Sequence, residues 1–448
     1  MGSLFGTDGA RGIVGKDLNS QLALKIGASV ARVIKTKKNK EKLSFLIGND
    51  TRISKDMLTS AVAAGVISEG CDIINVGTLP TPGISYLVQK YNLDGAFVIS
   101  ASHNPSEYNG IKVLDEKGIK ISEEIENNCE DIIFNDFKEN ENITKFGTFK
   151  TEPSAIKDYV KYLTKTINKD ISKIKILLDT ANGAASVTAE KVFKELNANI
   201  KIINNNPDGL NINKDAGSTH IEQLKEKVVK GKYDIGIAYD GDADRCILVD
   251  ELGNEIDGDY ILAITGLELK KENKLTNNAI VGTIMSNLGF IKFCEENNID
   301  FVSTSVGDKY VLEEMIKSNY ILGGEQSGHI IFKELANTGD GQLTSLQILS
   351  IMSKNKKKLS ELSSIMKKYP QVLINANVSK KGKEQYRQRD DIHELINKYE
   401  QKMHGDGRIV ARPSGTENYI RVMIEGSDIK KITKLCKELA SYIEKELN

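Results

Sequence analysis

Short apolar strands alternate with amphipathic helices along most of the 448-residue chain, and this alternation begins afresh three times. The first run contains the strands LSFLIG (43–48) and GAFVIS (95–100), the second begins at KIKILLDTANG (173–183), and the third begins at AIVGTIM (279–285). Strand–helix alternation is typical of mostly parallel sheets covered by helices. At about 150 residues per domain, the length also suggests about three domains. The sequence therefore predicts three similarly built, mixed α/β domains.

The C-terminal part of the chain follows a different pattern. Beyond Pro370, the segments GRIVARP (407–413) and YIRVMIEG (419–426) are typical of paired strands around a tight loop, and a helix is expected from Asp428. This pattern predicts a fourth, smaller α+β domain. We expect the four domains to span residues 1–152, 153–252, 253–370 and 371–448.

Charge and composition exclude several classes of function. The 61 Lys and Arg residues balance 62 Asp and Glu residues, so a net charge of -1 offers no global attraction for nucleic acid or an anionic membrane. The five cysteines form no CxxC pair, the first residues show no export signal, and no stretch of about 18 apolar residues occurs. We therefore expect a cytoplasmic monomer or homodimer that binds neither nucleic acid nor membranes.

The segment DGDADR (240–245) follows the strand IGIAY and places an aspartate at every second position. In an extended segment Asp240, Asp242 and Asp244 point to the same side, and their carboxylates repel one another unless a cation lies among them. Oxygen ligands alone select a hard ion such as Mg²⁺. An EF-hand calcium loop is rejected, because Arg245 stands where that loop needs glycine and a strand precedes the motif. The segment predicts one magnesium site, the alternative being an acidic solvated turn.

A second strand leads into ASHNP (101–105), which places Ser102 and His103 at a carboxyl strand end, where open α/β sheets bind ligands. On its own this segment is typical of a turn. Beside a metal site, Ser102 becomes a candidate nucleophile, because phosphoryl transfer needs mainly positioning and charge neutralisation. Lys112, in NGIK, and Arg11, in the glycine-rich FGTDGARG (5–12), are candidate cations.

The segment GGEQSGH (323–329) ends the third run of strands. Its Glu325 and Ser327 offer a carboxylate and a hydroxyl for sugar hydroxyls, and the near-neutral reference pKa of His329 suits proton transfer. A polar hairpin turn explains the segment equally well.

The segment RPSGTEN (412–418) combines groups that bind phosphate. Arg412 supplies a bidentate fork, Ser414 and Thr416 supply hydroxyls, Gly415 lets backbone N–H groups approach an anion, and Arg421 follows. A Pro-Ser-Gly turn explains only the middle of the segment. A metal site with a serine and a separate phosphate clamp together indicate a ligand that is phosphorylated at one end and reacts at the other.

Taken in this order, the four loops resemble those of the α-D-phosphohexomutase superfamily, and the resemblance spans nearly the whole chain. FGTDGARG, DGDADR and GGEQSGH are most similar to the bacterial branch that acts on glucosamine phosphates, whereas other branches have Gly in place of Ala243. The resemblance implies a heart-shaped molecule of four domains around a central cleft. It also implies a phosphorylated Ser102, with Mg²⁺ held by that phosphate and by Asp240, Asp242 and Asp244.

The same resemblance implies roles for the remaining motif residues. Glu325 and Ser327 would bind sugar hydroxyls. The substrate's non-reacting phosphate would be bound by Arg412, Ser414, Gly415, Thr416 and Arg421. The reacting centre would be lined by Arg11, His103, Lys112, Arg245, Lys309 and His329, with the general acid and base left open. Asn418 and Tyr419 replace the Pro-Leu that is usual after the phosphate loop.

The leading hypothesis is an isomerase that interconverts glucosamine 6-phosphate and glucosamine 1-phosphate for amino-sugar and cell-wall precursor synthesis. It would work as a phosphoserine protein through a hexose 1,6-bisphosphate, which also serves as activator. The alternative enzyme is a phosphoglucomutase or phosphomannomutase that acts on neutral hexose phosphates. A catalytically silent sugar-phosphate sensor is disfavoured because every ligand loop is intact, and a metal-dependent phosphatase is disfavoured because a hydrolase needs no second phosphate anchor.

Overall fold

The computed structural model describes residues 4–6, 8–135, 137–138, 145–403, 405–414 and 417–448, which form four β-sheets with flanking helices. Three α/β units follow one another along the chain, and a smaller α+β unit comes last. This order confirms the fold class predicted from the sequence. Within the described ranges, no helix is both long enough and apolar enough to cross a membrane.

The first unit contains a seven-stranded sheet. Its strands are β1 (Phe5–Gly6), β2 (Gly9–Ile13), β3 (Ser44–Asn49), β4 (Asp72–Thr78), β5 (Gly95–Ile99), β6 (Tyr108–Asp115) and β7 (Phe149–Thr151). In space they follow the order β1-β2-β6-β5-β3-β4-β7. The pairs on the β3 side are parallel, whereas β6 pairs antiparallel with both β5 and β2. The sheet is less parallel than strand–helix alternation suggested, because the connection over 100–107 is too short for a parallel crossover.

Five helices accompany this sheet: α1 (Ser20–Lys38), α2 (Lys55–Ser68), α3 (Thr81–Lys90), α4 (Glu123–Asn135) and α5 (Ala155–Thr164). Helix α1 begins where the Asn19 side chain accepts a hydrogen bond from the backbone N–H of Leu22 (2.9 Å). Helices α1 and α2 approach closely at Gly65, where an added Cβ would lie 2.1 Å from the carbonyl oxygen of Leu24.

The second unit contains β8 (Lys175–Asp179), β9 (Asn199–Ile203), β10 (Ile235–Tyr239), β11 (Cys246–Asp250) and β12 (Glu255–Ile256), in the order β12-β11-β10-β8-β9. Its helices are α6 (Ala189–Glu195) and α7 (Glu222–Gly231). The sequence predicts a single helix over 185–196, but a 3₁₀ turn, Ala184–Val187, precedes α6. Thr188 stands between the two, as the C-cap of the 3₁₀ turn and the N-cap of α6.

The third unit contains β13 (Ala279–Thr283), β14 (Asp300–Thr304), β15 (Leu322–Gly324) and β16 (Ile330–Phe332), in the order β14-β13-β15-β16. Its helices are α8 (Gly258–Lys271), α9 (Leu288–Glu296), α10 (Asp308–Lys317), α11 (Gly341–Asn355) and α12 (Leu359–Ser363). A continuous hydrophobic core joins the first three units, with Leu46, Ile237 and Leu346 among its members.

The fourth unit contains β17 (Gln371–Asn377), β18 (Gly407–Pro413) and β19 (Tyr419–Gly426), in the order β17-β19-β18, with α13 (Lys380–Gln385), α14 (Asp390–Gln401) and α15 (Ile429–Leu447). Strands β18 and β19 pair antiparallel, and Asp428 caps α15, as the sequence predicts. This unit has its own hydrophobic core, which includes Ile424 and Leu439.

Polar contacts join the fourth unit to the third. The fully buried carboxylate of Glu425, on β19, accepts hydrogen bonds from Asn287 Nδ2 (2.8 Å) and from the backbone N–H of Leu288 (3.1 Å). The guanidinium of Arg408, on β18, lies 2.6 Å from the same carboxylate and also donates to the carbonyl oxygen of Ser286. The position of the fourth unit therefore depends on one buried acid and its donors.

Candidate active site

The loop after β10 brings three buried carboxylates together. One oxygen of each of Asp240, Asp242 and Asp244 lies within 4.8 Å of the others. The predicted extended conformation is wrong, because the backbone turns after Tyr239 and Ala243 adopts a left-handed conformation (φ 58°). The side chains converge through this turn and not through the alternation of a strand. The three carboxylates therefore cluster as predicted, but a turn brings them together and not an extended strand.

The charges of this cluster suit a divalent cation. Burial raises the pKa of Asp240 and of Asp244, and neighbouring carboxylates raise both further. Burial also opposes ionisation of Asp242, but the ammonium of Lys112 and a hydrogen bond from Thr81 hold the pKa of Asp242 below its ordinary value. Asp242 Oδ1 and Asp244 Oδ1 are buried without a hydrogen-bond partner among the described residues. Because such oxygens are costly to leave unpaired, this donor set fits a hard cation such as Mg²⁺.

Ser102 lies beside the carboxylate cluster, on the loop after β5. Its Oγ donates a hydrogen bond to Asp240 Oδ2 (2.6 Å) and lies 3.5 Å from Nδ1 of His103. Burial, with the charges of Arg245 and Arg11, lowers the pKa of His103 to about 4, so this imidazole is neutral at physiological pH. The backbone of Ser102 is left-handed (φ 49°), a conformation that costs a non-glycine residue about 1 kcal/mol.

Arg52 holds the serine loop in place, although no motif in the sequence singles it out. Its side chain is 0% exposed, and its guanidinium donates to the carbonyl oxygens of Ser102 (2.9 Å) and Asn104 (2.7 Å). Asp50 accepts from Nε of Arg52 (2.9 Å), which fixes the orientation of the guanidinium. Asn213, from the second unit, donates to the same carbonyl oxygen of Ser102 (2.9 Å). The available signal was the pair of charged residues, Asp50 and Arg52, in the segment that follows the buried strand β3.

Lys112 and Arg11 lie on neighbouring strands, β6 and β2, and not in loops. Lys112 is buried, with Nζ 2.9 Å from Asp242 Oδ2 and 3.2 Å from Asp8 Oδ2. Arg11 forms a salt bridge with Asp8 as well. Arg245 directly follows residues 240–244, the predicted metal loop, and its Nε is buried without a hydrogen-bond partner among the described residues. Three predicted cations therefore lie around or beside the carboxylate cluster.

The third unit contributes His329 and Lys309, which line a cavity of about 220 Å³ together with Asp244. His329 is buried, and its Nε2 accepts a hydrogen bond from the backbone N–H of Gly339 (3.2 Å). As the acceptor in this contact, Nε2 carries no proton. Lys309 Nζ lies 3.2 Å from Glu123 of the first unit.

An ion-pair chain that the sequence analysis did not select joins the first and third units near this cavity. Lys120 Nζ lies 2.7 Å from Asp8 Oδ1 and 2.8 Å from Asp308 Oδ1. Asp308 and Lys120 both line the cavity. No local pattern identifies such a pair, because its members are 188 residues apart in the chain.

The segment GGEQSGH forms the hairpin between β15 and β16, so the polar-turn alternative describes its backbone correctly. Glu325 Oε1 accepts a hydrogen bond from the backbone N–H of Gly307 (3.1 Å). Ser327 Oγ is buried without a partner among the residues that the structure describes. The backbone N–H of Cys246, next to the metal loop, donates to the carbonyl oxygen of Gly328 (3.0 Å). The predicted sugar loop therefore contacts the metal loop directly.

Arg412 and Arg421 stand directly opposite each other on β18 and β19. The Nε atoms of both are buried without a hydrogen-bond partner in the described part of the chain, and burial together with the charge of Arg421 lowers the pKa of Arg412. The guanidinium of Arg421 lies 5.5 Å from the ring centroid of Tyr419. Ser414 Oγ accepts from the backbone N–H of Glu417 (3.3 Å). The predicted ligands Gly415 and Thr416 lie outside the described residues.

The structure thus brings the residues of the first three predicted loops into one contact network, whereas the phosphate loop lies on the separate fourth unit. Across the described ranges, no hydrogen bond or salt bridge joins Arg412, Ser414 or Arg421 to the other three loops. A ligand held by both groups would have to span the two parts of the molecule.

Comparison with domain families gives four matches in chain order. They belong to phosphoglucomutase/phosphomannomutase: alpha/beta/alpha domain I matches residues 2–140, domain II residues 157–253, domain III residues 257–369 and the C-terminal domain residues 373–441. Together the matches cover most of the chain.

Curated relatives match over their whole length. Phosphoglucosamine mutase of Clostridium acetobutylicum is 50% identical over 450 residues, with 100% of both chains covered. Phosphoglucosamine mutase of Clostridium botulinum (strain Kyoto / Type A2) is 49% identical over 452 residues, again with 100% of both chains covered.

Solved structures share the fold at low sequence identity. A phosphoglucomutase/phosphomannomutase family protein from Burkholderia thailandensis has a TM-score of 0.82 at 21% identity and covers 100% of this chain and 99% of that chain. N-acetylphosphoglucosamine mutase of Aspergillus fumigatus, in complex with GlcNAc-6P and magnesium, has a TM-score of 0.69 at 16% identity, with coverages of 99% and 96%. A variant of that enzyme in complex with glucose 1,6-bisphosphate has a TM-score of 0.64 at 15% identity, with coverages of 99% and 95%.

Proposed function

The chain belongs to the α-D-phosphohexomutase superfamily, within the phosphoglucosamine mutase family, and we propose on this basis that it interconverts glucosamine 6-phosphate and glucosamine 1-phosphate. It is an isomerase of the phosphohexomutase type. We propose further that the reaction passes through a phosphoserine enzyme and a glucosamine 1,6-bisphosphate. The substrates are small hexosamine phosphates. The names of the full-length relatives favour an amino sugar over a neutral hexose as the substrate of this chain.

One observation carries this proposal: Ser102 Oγ lies within hydrogen-bond distance of a buried carboxylate cluster that has two unpaired oxygens. Asp240, Asp242, Asp244 and a phosphate on Ser102 would hold one Mg²⁺ per chain. When bound, Mg²⁺ neutralises charge on the transferring phosphoryl group. The magnesium complex of the Aspergillus fumigatus enzyme supports this choice of ion.

The proposed reaction has two half-reactions at the same serine. The free hydroxyl oxygen of the sugar attacks the phosphorus on Ser102, and the P–Oγ bond breaks. The hydroxyl proton passes to a base of the cleft, and Ser102 Oγ takes up a proton from an acid of the cleft. The resulting bisphosphate turns over, and its other phosphate returns to Ser102 in the reverse sense. Lys112, Arg11 and Arg245 stabilise the phosphoryl charge, while His103, Lys309 and His329 line the reacting centre. The complex of a relative's variant with glucose 1,6-bisphosphate supports a bisphosphate in this reaction.

The proposal divides binding among four domains spanning residues 1–152, 153–252, 253–370 and 371–448. Glu325 and Ser327 bind sugar hydroxyls. The non-reacting phosphate is bound by Arg412, Ser414, Gly415, Thr416 and Arg421. Since a remote anchor orients the reacting end, its binding energy contributes to turnover as well as to affinity.

Phosphate-free enzyme provides the test. With glucosamine 1-phosphate alone it should be nearly inactive, and added hexose 1,6-bisphosphate should restore turnover. Ser102→Ala should not recover, whereas Ser106→Ala, on the same loop, should behave like the wild type. Intact-mass measurement should show one phosphate on active protein and none on Ser102→Ala.

Two outcomes would contradict parts of the proposal. Full activity of a verified unphosphorylated sample without bisphosphate would exclude the phosphoserine route. A higher kcat/KM on glucose 1-phosphate than on glucosamine 1-phosphate would instead identify a phosphoglucomutase, which is the alternative enzyme.

A further inference from the structure

Most carboxylates around the reacting centre are already engaged by protein groups or by one another. The three aspartates of the metal loop face one another. Asp8 uses both of its oxygens, since Oδ1 lies 2.7 Å from Lys120 Nζ and Oδ2 lies 3.2 Å from Lys112 Nζ and also pairs with Arg11. Asp8 cannot accept a new donor from a substrate without giving up a partner, and the unpaired oxygens of Asp242 and Asp244 belong to the proposed metal site.

Asp308 is different, because one of its oxygens is free to accept a hydrogen bond. Its Oδ1 lies 2.8 Å from Lys120 Nζ, whereas Oδ2 has no hydrogen bond among the described residues and lies 3.8 Å from Nε2 of His329. The side chain of Asp308 is 21% exposed and lines the 220 Å³ cavity. Although burial favours the neutral acid, the ammonium of Lys120 holds the pKa of Asp308 below its ordinary value. The free oxygen therefore belongs to a carboxylate.

The group that faces this oxygen cannot donate to it. Nε2 of His329 already accepts the backbone N–H of Gly339, so in the neutral ring this atom carries no proton. The free carboxylate oxygen thus lies 3.8 Å from a nitrogen that has no proton to donate and whose lone pair Gly339 already uses. A positively charged donor that entered here would be stabilised by the Asp308 carboxylate.

Asp308 also lies where a substituent on C2 of the sugar would be presented. The residue before it, Gly307, donates its backbone N–H to Glu325 of the sugar loop (3.1 Å), and Asp308 shares the cavity with Asp244 of the metal loop. In a hexose, C2 is bonded to C1, whose oxygen reacts, and to C3, whose hydroxyl is available for binding. A sugar held at the Glu325 loop and reacting at O1 presents C2 to the space between the two loops.

We propose that Asp308 binds the C2 ammonium of glucosamine phosphates through its free Oδ2, a proposal that rests on the function proposed above. Lys120 holds the other oxygen and so fixes the carboxylate in position. A C2 hydroxyl forms only a neutral-donor hydrogen bond at this place, whereas the ammonium forms a charge-assisted one. Asp308 is in this sense the specificity-determining residue for the amino sugar.

The test compares kcat/KM on glucosamine 1-phosphate and glucose 1-phosphate for the wild type and for Asp308→Asn. The amide oxygen of asparagine can still accept from Lys120, but its NH₂ group cannot accept from an ammonium. The ratio of kcat/KM values should fall about tenfold or more, as expected for the loss of one hydrogen bond to a charged group. Glu314→Gln removes the same charge from the same helix at a residue that does not line the cavity and whose carboxylate binds Ser318, so it should leave the ratio unchanged.

Equal losses on both substrates in Asp308→Asn would show that Asp308 has only a structural role and would overturn the proposal. A ratio that fell equally in Glu314→Gln would also overturn it, because long-range charge would then suffice. A wild-type preference for glucose 1-phosphate would refute the proposed function, whereas the change of the ratio between wild type and Asp308→Asn would still decide the role of Asp308.

Discussion

The candidate nucleophile owes its geometry to side chains that lie behind it. Ser102 has a left-handed backbone (φ 49°), and its carbonyl oxygen accepts from Arg52 (2.9 Å) and Asn213 (2.9 Å). These two donors come from different units of the molecule. Because they bind the carbonyl and not the hydroxyl, they fix the direction of Oγ without occupying it.

Arg52→Ala should therefore lower turnover more than affinity. The loss of Arg52 removes the donor to four carbonyl oxygens, those of Ser102, Asn104, Pro105 and Tyr108. A misplacement of about 1 Å at a reacting group costs about 100-fold in rate. We expect kcat to fall by about this factor with little change in KM, measured by steady-state kinetics in the presence of bisphosphate. Arg52→Lys should recover only part of the loss, because it keeps the charge without the planar fork.

Arg32→Ala is the matched control, since Arg32 also pairs with a carboxylate but lies in the first unit away from the serine loop. A kcat near the wild-type value in well-folded Arg52→Ala would refute the positioning role. A uniform rise of KM alone would assign Arg52 to ligand binding instead.

At the scale of elements, the contact of α1 with α2 allows no added methyl group. Gly65→Ala gains about 1 kcal/mol of helix propensity, but the new Cβ would lie 2.1 Å from a backbone oxygen that cannot move alone. Overpacking of this kind typically costs about 1–3 kcal/mol, so the net effect should be destabilising. Thermal unfolding should show a lower Tm for Gly65→Ala and almost no change for Ala64→Ser on the exposed face. An unchanged or raised Tm for Gly65→Ala would mean that the helices separate freely.

The strands made of apolar residues could be predicted from the sequence, whereas the strands that carry residues of the candidate site could not. LSFLIG and GAFVIS are apolar and bounded by turn residues, so β3 and β5 follow from the sequence. Strands β2 and β6 escaped prediction because GARGI and YNGIKVLD contain glycines and the charged Arg11 and Lys112, which are typical of loops. Lys112 can be buried and Arg11 half-buried because Asp242 and Asp8, respectively, neutralise them.

The candidate site shows the same division. The aspartates of DGDADR predicted a carboxylate cluster, but the sequence did not predict the turn at Ala243 that brings them together. Arg52 and Asp308 could not be found from the sequence, because each acts on groups that lie far away along the chain. The local sequence shows which residues a loop contains. Contacts with distant residues determine which atoms of those side chains remain without a hydrogen-bond partner.

At the scale of the whole molecule, the first three units share one core, whereas the fourth is joined to the third by Glu425 and its donors. Glu425→Gln removes the charge that holds Arg408, and breaking one partner of a buried pair is strongly destabilising for the contact. Because Arg421 is on the same strand as Glu425, we expect a several-fold rise in KM with a smaller effect on kcat. Small-angle scattering should show a larger radius of gyration.

The control is Glu438→Gln on α15, whose carboxylate lies 3.9 Å from Lys434 in a more exposed pair. It should leave both KM and the scattering profile unchanged. Identical kinetics and scattering for Glu425→Gln and the wild type would show that the fourth unit is held by other contacts.

The opposed arginines of the fourth unit have a practical consequence for handling the protein. Arg412 and Arg421 face each other across β18 and β19, and like charges held in this way raise the free energy of the sheet until a dianion enters between them. Relief of that repulsion does not require a sugar. Inorganic phosphate and sulfate should therefore compete with substrate, and buffers or precipitants that contain them will inflate apparent KM values and protect the fourth unit against heat.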